Sequence, residues 1–303
     1  MERKRRDRVK TVAGVLVAIV LTAVVTAFVA PSMMPLRTET ITETETALMT
    51  LAETVTETVT TIDRSTATLW VDRCEFFLRE ARRFLESQYV EECGLLRAAT
   101  RQEEGRRIYV ASDNLLAQRA LELLGSPLAD EVRETLWIEY SGGYDGLHEG
   151  LLGENITWPP KTPSNITLGQ CGGFDVIWEI RDGSIMNDWG EYGDLLACHA
   201  IAFHSESSLE KLLNLFDSKG IRDRVYETTG LYETYKLAMA ILAYRSLQPA
   251  GHLKTYEAMV DIMLGMQRGD GGVVTHYDEG LGHVGDANTE TTSLAVMALL
   301  ADP

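Results

Sequence analysis

Gly285–Pro303 reads GDANTETTSLAVMALLADP, and the fold turns on what that stretch is. Hydroxyls, amides and carboxylates dominate Asp286–Ser293, and the chain then runs without a break into Leu294, Ala295, Val296, Met297, Ala298, Leu299 and Leu300. Three other segments share this build: SDNLLAQRALELLG from Ser112, EYGDLLACHAIAFH from Glu191 and LYETYKLAMAILAY from Leu231. Each opens with one polar turn holding a carboxylate and continues as an Ala- and Leu-rich helix, apolar on most faces. A helix apolar nearly all round has to be covered by other helices, and its alanines let those neighbours approach closely. The intervening LADEVRETLWIEY, SSLEKLLNLFDSKG and HLKTYEAMVDIMLGMQ are amphipathic and suit an outer layer. Repeated helical hairpins with a buried inner set predict a mainly α protein, an α/α toroid that is complete or partial. The polar first turns then collect on one rim.

A family resemblance follows from the same region. MQRGDGGVVTHYDEG followed by GDANTETTSLAVMALL resembles the hairpin rhythm of the α/α-toroid superfamily, which includes the six-hairpin glycosidase-like proteins and the terpenoid cyclase and protein prenyltransferase barrels. In the latter barrels a Gln followed shortly by Asp-Gly or Gly-Gly closes an outer helix, and Gln267, Asp270, Gly271 and Gly272 stand in those places. The resemblance covers Asp113 to Pro303 and implies the toroid. Nothing matches the acidic DxDD motif of squalene-type cyclases, and no Asp, Cys and His set falls into a prenyltransferase zinc pattern. Those two chemistries are not expected.

The N-terminal part has a different character. Residues 1–10, MERKRRDRVK, carry a local charge of +4 in a chain whose net charge is −17. Thr11–Ala30 then holds twenty residues without a charge, enough to cross the roughly 30 Å of a bilayer's hydrocarbon. The positive-inside rule keeps the basic tip in the cytoplasm. A single-pass cell-membrane protein is expected, anchored through 11–30 with the rest extracytoplasmic. A cleaved secretory signal is the alternative, with Val25 and Ala27 supplying small residues at the cleavage site. Residues 31–65 are rich in Thr and Glu, and Ile41, Leu48, Val55, Ile62 and Leu69 recur every seven residues as the a positions of a coiled coil would. Leu51 is the apolar d position, whereas Thr44, Thr58 and Ser65 are polar. The stalk is therefore either a short seam that makes a homo-oligomer or an extended Thr-rich segment that carries sugars. Residues 66–303 form the globular domain, and with 45% hydrophobic residues the chain can fill a sizeable core.

Within that domain TLWVDRCEFFLREARRFLESQY reads as an amphipathic helix with Trp70, Cys74, Phe77, Leu78 and Leu85 on one stripe. CGLLRAATRQEEGRRIYVASD reads as a small hairpin about a charged turn. The Gly- and Pro-containing stretch from Ile138 to Asp194 reads as a long connection with a two-stranded β element turning around Arg181, Asp182 and Gly183. Two glycosylation sequons, Asn155-Ile-Thr and Asn165-Ile-Thr, put it at the surface.

The rim supplies the chemistry. Asp113, Asp194, Glu233 and Glu290 are candidate catalytic carboxylates, and Asn114, Trp189, Tyr192, Tyr232, Tyr235 and Asn288 are candidate ligand-binding groups beside them. Two carboxyls, one protonated and one ionised, can hydrolyse a glycosidic bond while aromatic faces stack on the sugar. The competing reading is structural, because acidic and hydroxyl side chains in a helix's first turn also cap free N–H groups and meet the positive end of the dipole. His276 and His283 flank Asp278 and Glu279, with Asp286 near in sequence. Solvated loop histidines are the simpler reading, so no metal or cofactor is expected. No nucleophile elbow, phosphate-binding Gly loop or zinc-protease helix occurs, and the acidic exterior excludes nucleic acid as a partner. Outside the cell Cys74, Cys93, Cys171 and Cys198 suggest two disulfides, with Cys74–Cys93 and Cys171–Cys198 favoured and a buried free thiol the alternative for Cys198. Two functions stay open: a membrane-anchored carbohydrate-active hydrolase or lyase, and a non-catalytic cell-surface receptor or scaffold binding a glycan or other small ligand on the same rim.

Overall fold

The computed structural model describes residues 71–100, 108–140, 145–249 and 251–301, all within the second of two compact units, Ala67–Pro303. The expected basic tip, membrane span and stalk lie outside the described residues. Among the described residues no helix is long and apolar enough to cross a membrane.

The fold is mainly α, with small sheets. Four helices form its centre: α2 (Ala111–Leu123), α5 (Gly193–Phe203), α8 (Thr234–Leu247) and α10 (Thr289–Leu300). They are the four segments with polar starts and apolar bodies. In α8 every residue from Lys236 to Ala243 is buried, and in α10 every residue from Thr291 to Ala298 is. α10 packs between α2 and α8, and α8 packs between α10 and α5. Alanines make this approach close: Ala117, Ala120, Ala197, Ala200, Ala240, Ala295 and Ala298 have no exposed surface. Burying such a set on all sides contributes about 25 cal/mol for each Å² of apolar surface removed from water.

Amphipathic helices cover this centre as the sequence predicts. α3 (Leu128–Ile138) packs on α2, α6 (Glu206–Asn214) on α5 and α9 (Leu253–Gly265) on α8. Helix α1, described over 71–88, buries Phe77, Ala81, Phe84 and Leu85. The turn after α9 docks onto α1. Gln267 Nε2 donates to Phe77 O at 2.8 Å and to Gly271 O at 3.0 Å. Gly271 has φ +90°, and a Cβ there would overlap the Glu80 carbonyl. Only glycine adopts that conformation without strain, so the Asp-Gly-Gly run is a packing requirement. Two short helices, α4 (His148–Leu151) and α7 (Arg224–Thr229), lie in connections.

The strands depart from expectation in two places. β1 (Tyr89–Val90) pairs with β2 (Leu95–Leu96), so the run before the charged turn folds back on the end of α1. β3 (Tyr109–Val110) instead lies parallel to β5 (Phe174–Ile180), and a backbone bond from Ala98 N to Ile108 O spans the charged segment. β5 forms an antiparallel hairpin with β4 (Ser164–Cys171). Its turn is Gly172–Gly173, both at positive φ, and not Arg181–Gly183 as predicted. Paired glycines take up the left-handed conformations that a tight hairpin turn needs without a Cβ penalty. A third sheet has the order β6 (Tyr232–Glu233), β7 (Val274–Tyr277), β8 (His283–Ala287) and leads directly into α10. Asn155 and Asn165 are exposed, as the sequons require.

The expected disulfide pairs are corrected. Cys93 bonds Cys171, tying the β1–β2 turn to the β4–β5 turn, while Cys74 and Cys198 are free. Cys74 sits early in α1, and fourteen further helical residues at about 1.5 Å each carry the chain roughly 20 Å away before β1 begins. Cys198 is buried in the middle of α5 against Gly146 O and Leu147 O, out of reach of the hairpin tip.

Candidate active site

The first turns of the four central helices meet. Asp113 of α2 and Glu290 of α10 lie together, and Glu290 feels the charges of Glu179, Asp194 and Glu233. Each is placed by its helix start. Asn288 caps α10 by accepting from Thr291 N at 2.8 Å, which leaves Glu290 uninvolved in the cap. The residues that precede α2, α5 and α8, Val110, Tyr192 and Glu233, make no side-chain cap hydrogen bond, so Glu233 is not spent on capping α8.

Surroundings then divide the carboxylates into two groups. On one wall Lys236, almost fully buried, lies 2.5 Å from Glu233, 2.6 Å from Asp223 and 4.0 Å from Asp194. Burial opposes the ammonium charge, but Asp194, Glu233 and Asp223 outweigh it, and the Lys236 pKa rises. Asp223 also accepts from Gly193 N at 2.9 Å and Val225 N at 3.0 Å, so it joins the starts of α5, α7 and α8. Asp194 differs. Burial pushes its carboxyl up against the opposing pull of Lys236 and Arg181, and its Oδ1 is buried without a hydrogen-bond partner. Tyr235 stands beside this wall, its phenol held well above the ordinary range by burial and by Asp194, Glu233 and Glu290.

On the opposite wall, no Lys or Arg among the described residues lies within ion-pair distance of Asp113 or Glu290. Asp113 is pushed well up by burial, then by Glu290 and Glu179, and burial with Glu179, Asp194 and Glu233 lifts Glu290 to about 7. His148 completes this wall. Its Nε2 lies 3.8 Å from Asp113 Oδ1, while its Nδ1 contacts Asp145 Oδ2. The other Asp145 oxygen accepts from Leu147 N at 2.5 Å and His148 N at 2.8 Å. Burial holds the His148 pKa down at about 3, leaving a neutral ring. One ligand atom from each of Asp113, His148 and Glu290 falls within 4.8 Å of the others. Glu179, whose side chain is 35% exposed, carries the site towards solvent, with burial and Asp194 raising its pKa and Arg181 lowering it.

The remaining sequence candidates are placed elsewhere or serve the frame. Asn114 bonds Leu96 N, Leu96 O and Val110 O, fixing β2 to α2. Tyr232 is buried, donates to Asp217 at 2.7 Å and stacks on Tyr277. Trp189 packs on Trp158 and His199, in a separate aromatic group. Tyr192 precedes α5 with Arg224 over its ring. The histidines of the His276–Asp286 loop do not come together: His283 bonds Gly265 O and Asp286 pairs with Arg268, while His276 Nε2 lies 3.8 Å from Glu233 Oε1. A cleft at the other ends of the central helices, lined by Ile201, Leu242, Arg245 and Met297, holds none of the site carboxylates.

Sequence reasoning missed Lys236, Asp223, Glu179, Asp145 and His148. Lys236 was legible, because a lone cation in an apolar helix three residues after Glu233 asks for a buried partner. His148 was not, since it belongs to a Gly-rich connection without periodicity. Neither the protein-family models nor the curated proteins contain a match to this chain. Any functional reading therefore rests on the site itself.

Proposed function

We propose that the chain is a glycan hydrolase whose acid–base pair is Asp194 and Glu233, working at the rim where α2, α5, α8 and α10 begin. The observation that carries this is the position of Lys236, in direct ion pairs with Glu233 and Asp223 yet 4.0 Å from Asp194. Glu233 makes the direct ion pair with the buried ammonium. Asp194, whose carboxyl burial pushes up against the pull of the more distant Lys236, is biased toward the carboxylic acid. Glycosidic cleavage needs that division, one group giving a proton to the leaving oxygen while the other attacks the anomeric carbon or activates water. Carboxylates outnumber Lys236 and Arg181 around the site, which repels uronic acids and favours hydrolysis of neutral sugars over polyuronate elimination. In this reading the central helices are the inner set of a partial α/α toroid, and residues 11–30 anchor it with the domain outside the cell. The Cys93–Cys171 bond and the exposed sequons fit an exported, oxidising setting.

The test is release of reducing ends from a panel of neutral oligosaccharides. Wild type should turn over at least one, and Asp194→Asn should lower kcat about 10²–10⁴-fold. Binding of a glycan without turnover by wild type would favour the receptor reading. Full activity in Asp194→Asn would remove Asp194 from the mechanism.

A further inference from the structure

We infer that Asp113, His148 and Glu290 hold a divalent first-row transition cation, such as Zn²⁺ or Mn²⁺, on the wall opposite Lys236. The argument starts from ligand type. One imidazole with two carboxylates suits Zn²⁺, Mn²⁺ or Fe²⁺, whereas the nitrogen ligand disfavours Ca²⁺ and Mg²⁺. Their ligand atoms lie within 4.8 Å of one another, so small side-chain rotations bring them to metal–ligand distances of about 2.0–2.2 Å. Three protein ligands leave a coordination position open to water or a substrate oxygen, the pattern of a catalytic and not a structural site.

His148 gives the independent observation. The residue is only 4% exposed, and its Nε2 faces Asp113 and Glu290 without making a hydrogen bond among the described residues. This nitrogen of a buried ring is therefore directed at carboxylate oxygens, 3.8 Å from Asp113 Oδ1, and not at a hydrogen-bond partner among the described residues. Its other nitrogen meets Asp145, whose second oxygen is fixed by two backbone N–H groups. A carboxylate behind the imidazole sets the tautomer that presents a lone pair at Nε2 and fixes the ring's direction. Asp113 and Glu290 also receive no hydrogen bond and no Lys or Arg ion pair from the described residues. A dication offsets carboxylate charge that no cation among the described residues offsets there. This inference does not rest on the glycan reading, and the cation can be present whatever the substrate is.

The experiment uses full-length protein stripped with EDTA, titrated calorimetrically with Zn²⁺ and with Mn²⁺, and with Co²⁺ for its visible spectrum. One ion per chain is expected, with a Co²⁺ spectrum of mixed nitrogen and oxygen ligation. Glu290→Gln keeps the side-chain shape and should abolish this binding while circular dichroism stays native. His148→Gln should do the same. Asp145→Asn should retain the ion and weaken it about 10–100-fold. His283→Ala, whose ring bonds Gly265 O away from the site, should bind as wild type does. Unchanged stoichiometric binding in Glu290→Gln and His148→Gln, or no binding by wild type, would overturn the inference. Loss of glycan turnover in Asp194→Asn with the Co²⁺ spectrum intact bears on the hydrolase reading alone.

Discussion

Replacing Lys236 by Met keeps the length of the side chain and removes the charge that joins α8 to α5 and α7. In the native protein Nζ lies 2.6 Å from Asp223 and 2.5 Å from Glu233, with Lys236 and Asp223 both about 1% exposed. Losing one partner leaves Asp223 as a buried anion sustained only by backbone N–H groups. Breaking a buried ion pair from one side costs about 3–5 kcal/mol. For a domain of this size 1 kcal/mol moves Tm by about 2–4 °C, so Tm should fall by at least about 6 °C. Differential scanning calorimetry at pH 7 reads this directly. Adding Asp223→Asn to Lys236→Met removes the stranded charge and should recover part of the loss, which separates electrostatics from packing. The pH dependence has a definite sign. The Lys236 pKa is raised in the folded protein above its ordinary 10.5, so its contribution is complete below that value and is lost as pH climbs through the raised one. Lys236→Met should therefore erase a wild-type loss of stability in the alkaline range. A Tm within 1 °C of wild type for Lys236→Met would refute the reasoning, since no organising ion pair could then exist there.

Four further outcomes follow from the same structure. Gly271→Ala should cost more than about 1 kcal/mol in urea unfolding, because φ is +90° and the new Cβ meets the Glu80 carbonyl, whereas Gly190→Ala, with open space around it, should cost less. The Cys93–Cys171 bond spans 78 residues, for which chain entropy gives about 4–5 kcal/mol, so the double Ala variant should unfold at clearly lower denaturant. Thiol labelling of native protein should find Cys74 before Cys198, and equal labelling rates would contradict the burial of Cys198. In EDTA-treated protein Glu290→Gln should be at least as stable as wild type at pH 8, because a buried carboxyl with pKa about 7 is ionised there at a cost that the amide avoids. As pH falls below about 5 that advantage should vanish; an advantage that grows on acidification would reverse the sign of the argument.

The central helices were legible because their signal is local. Runs such as LAMAILA and LAVMALL cannot face water on any side, and the carboxylates of the turns before them gather wherever such helices stand together. The turn residues were legible in part, since Gln267 to Gly272 gave a helix stop, although Gly172–Gly173 was the better turn signal in the β region than Arg181–Gly183. What could not be read depends on contacts between segments far apart in sequence. Cys93 finds Cys171 only because β1–β2 and β4–β5 place their turns together. His148 reaches Asp113 and Glu290 because a connection folds back over α2 and α5. Lys236 could be matched with Glu233 from their spacing, but that Asp223 and Asp194 share this cation while Asp113 and Glu290 do not follows from packing.

The hydrolase account stands on Glu233 acting at the sugar and not merely bracing Lys236. Glu233→Ala removes the carboxylate, and the decisive measurement is turnover of a reactive aryl glycoside by this variant with and without added azide. If Glu233 attacks the anomeric carbon or positions the attacking water, azide entering the vacated space should restore a substantial part of the lost rate and yield a glycosyl azide product. Loss of activity that azide leaves untouched, together with a lowered Tm, would make Glu233 a structural partner of Lys236 and contradict the account.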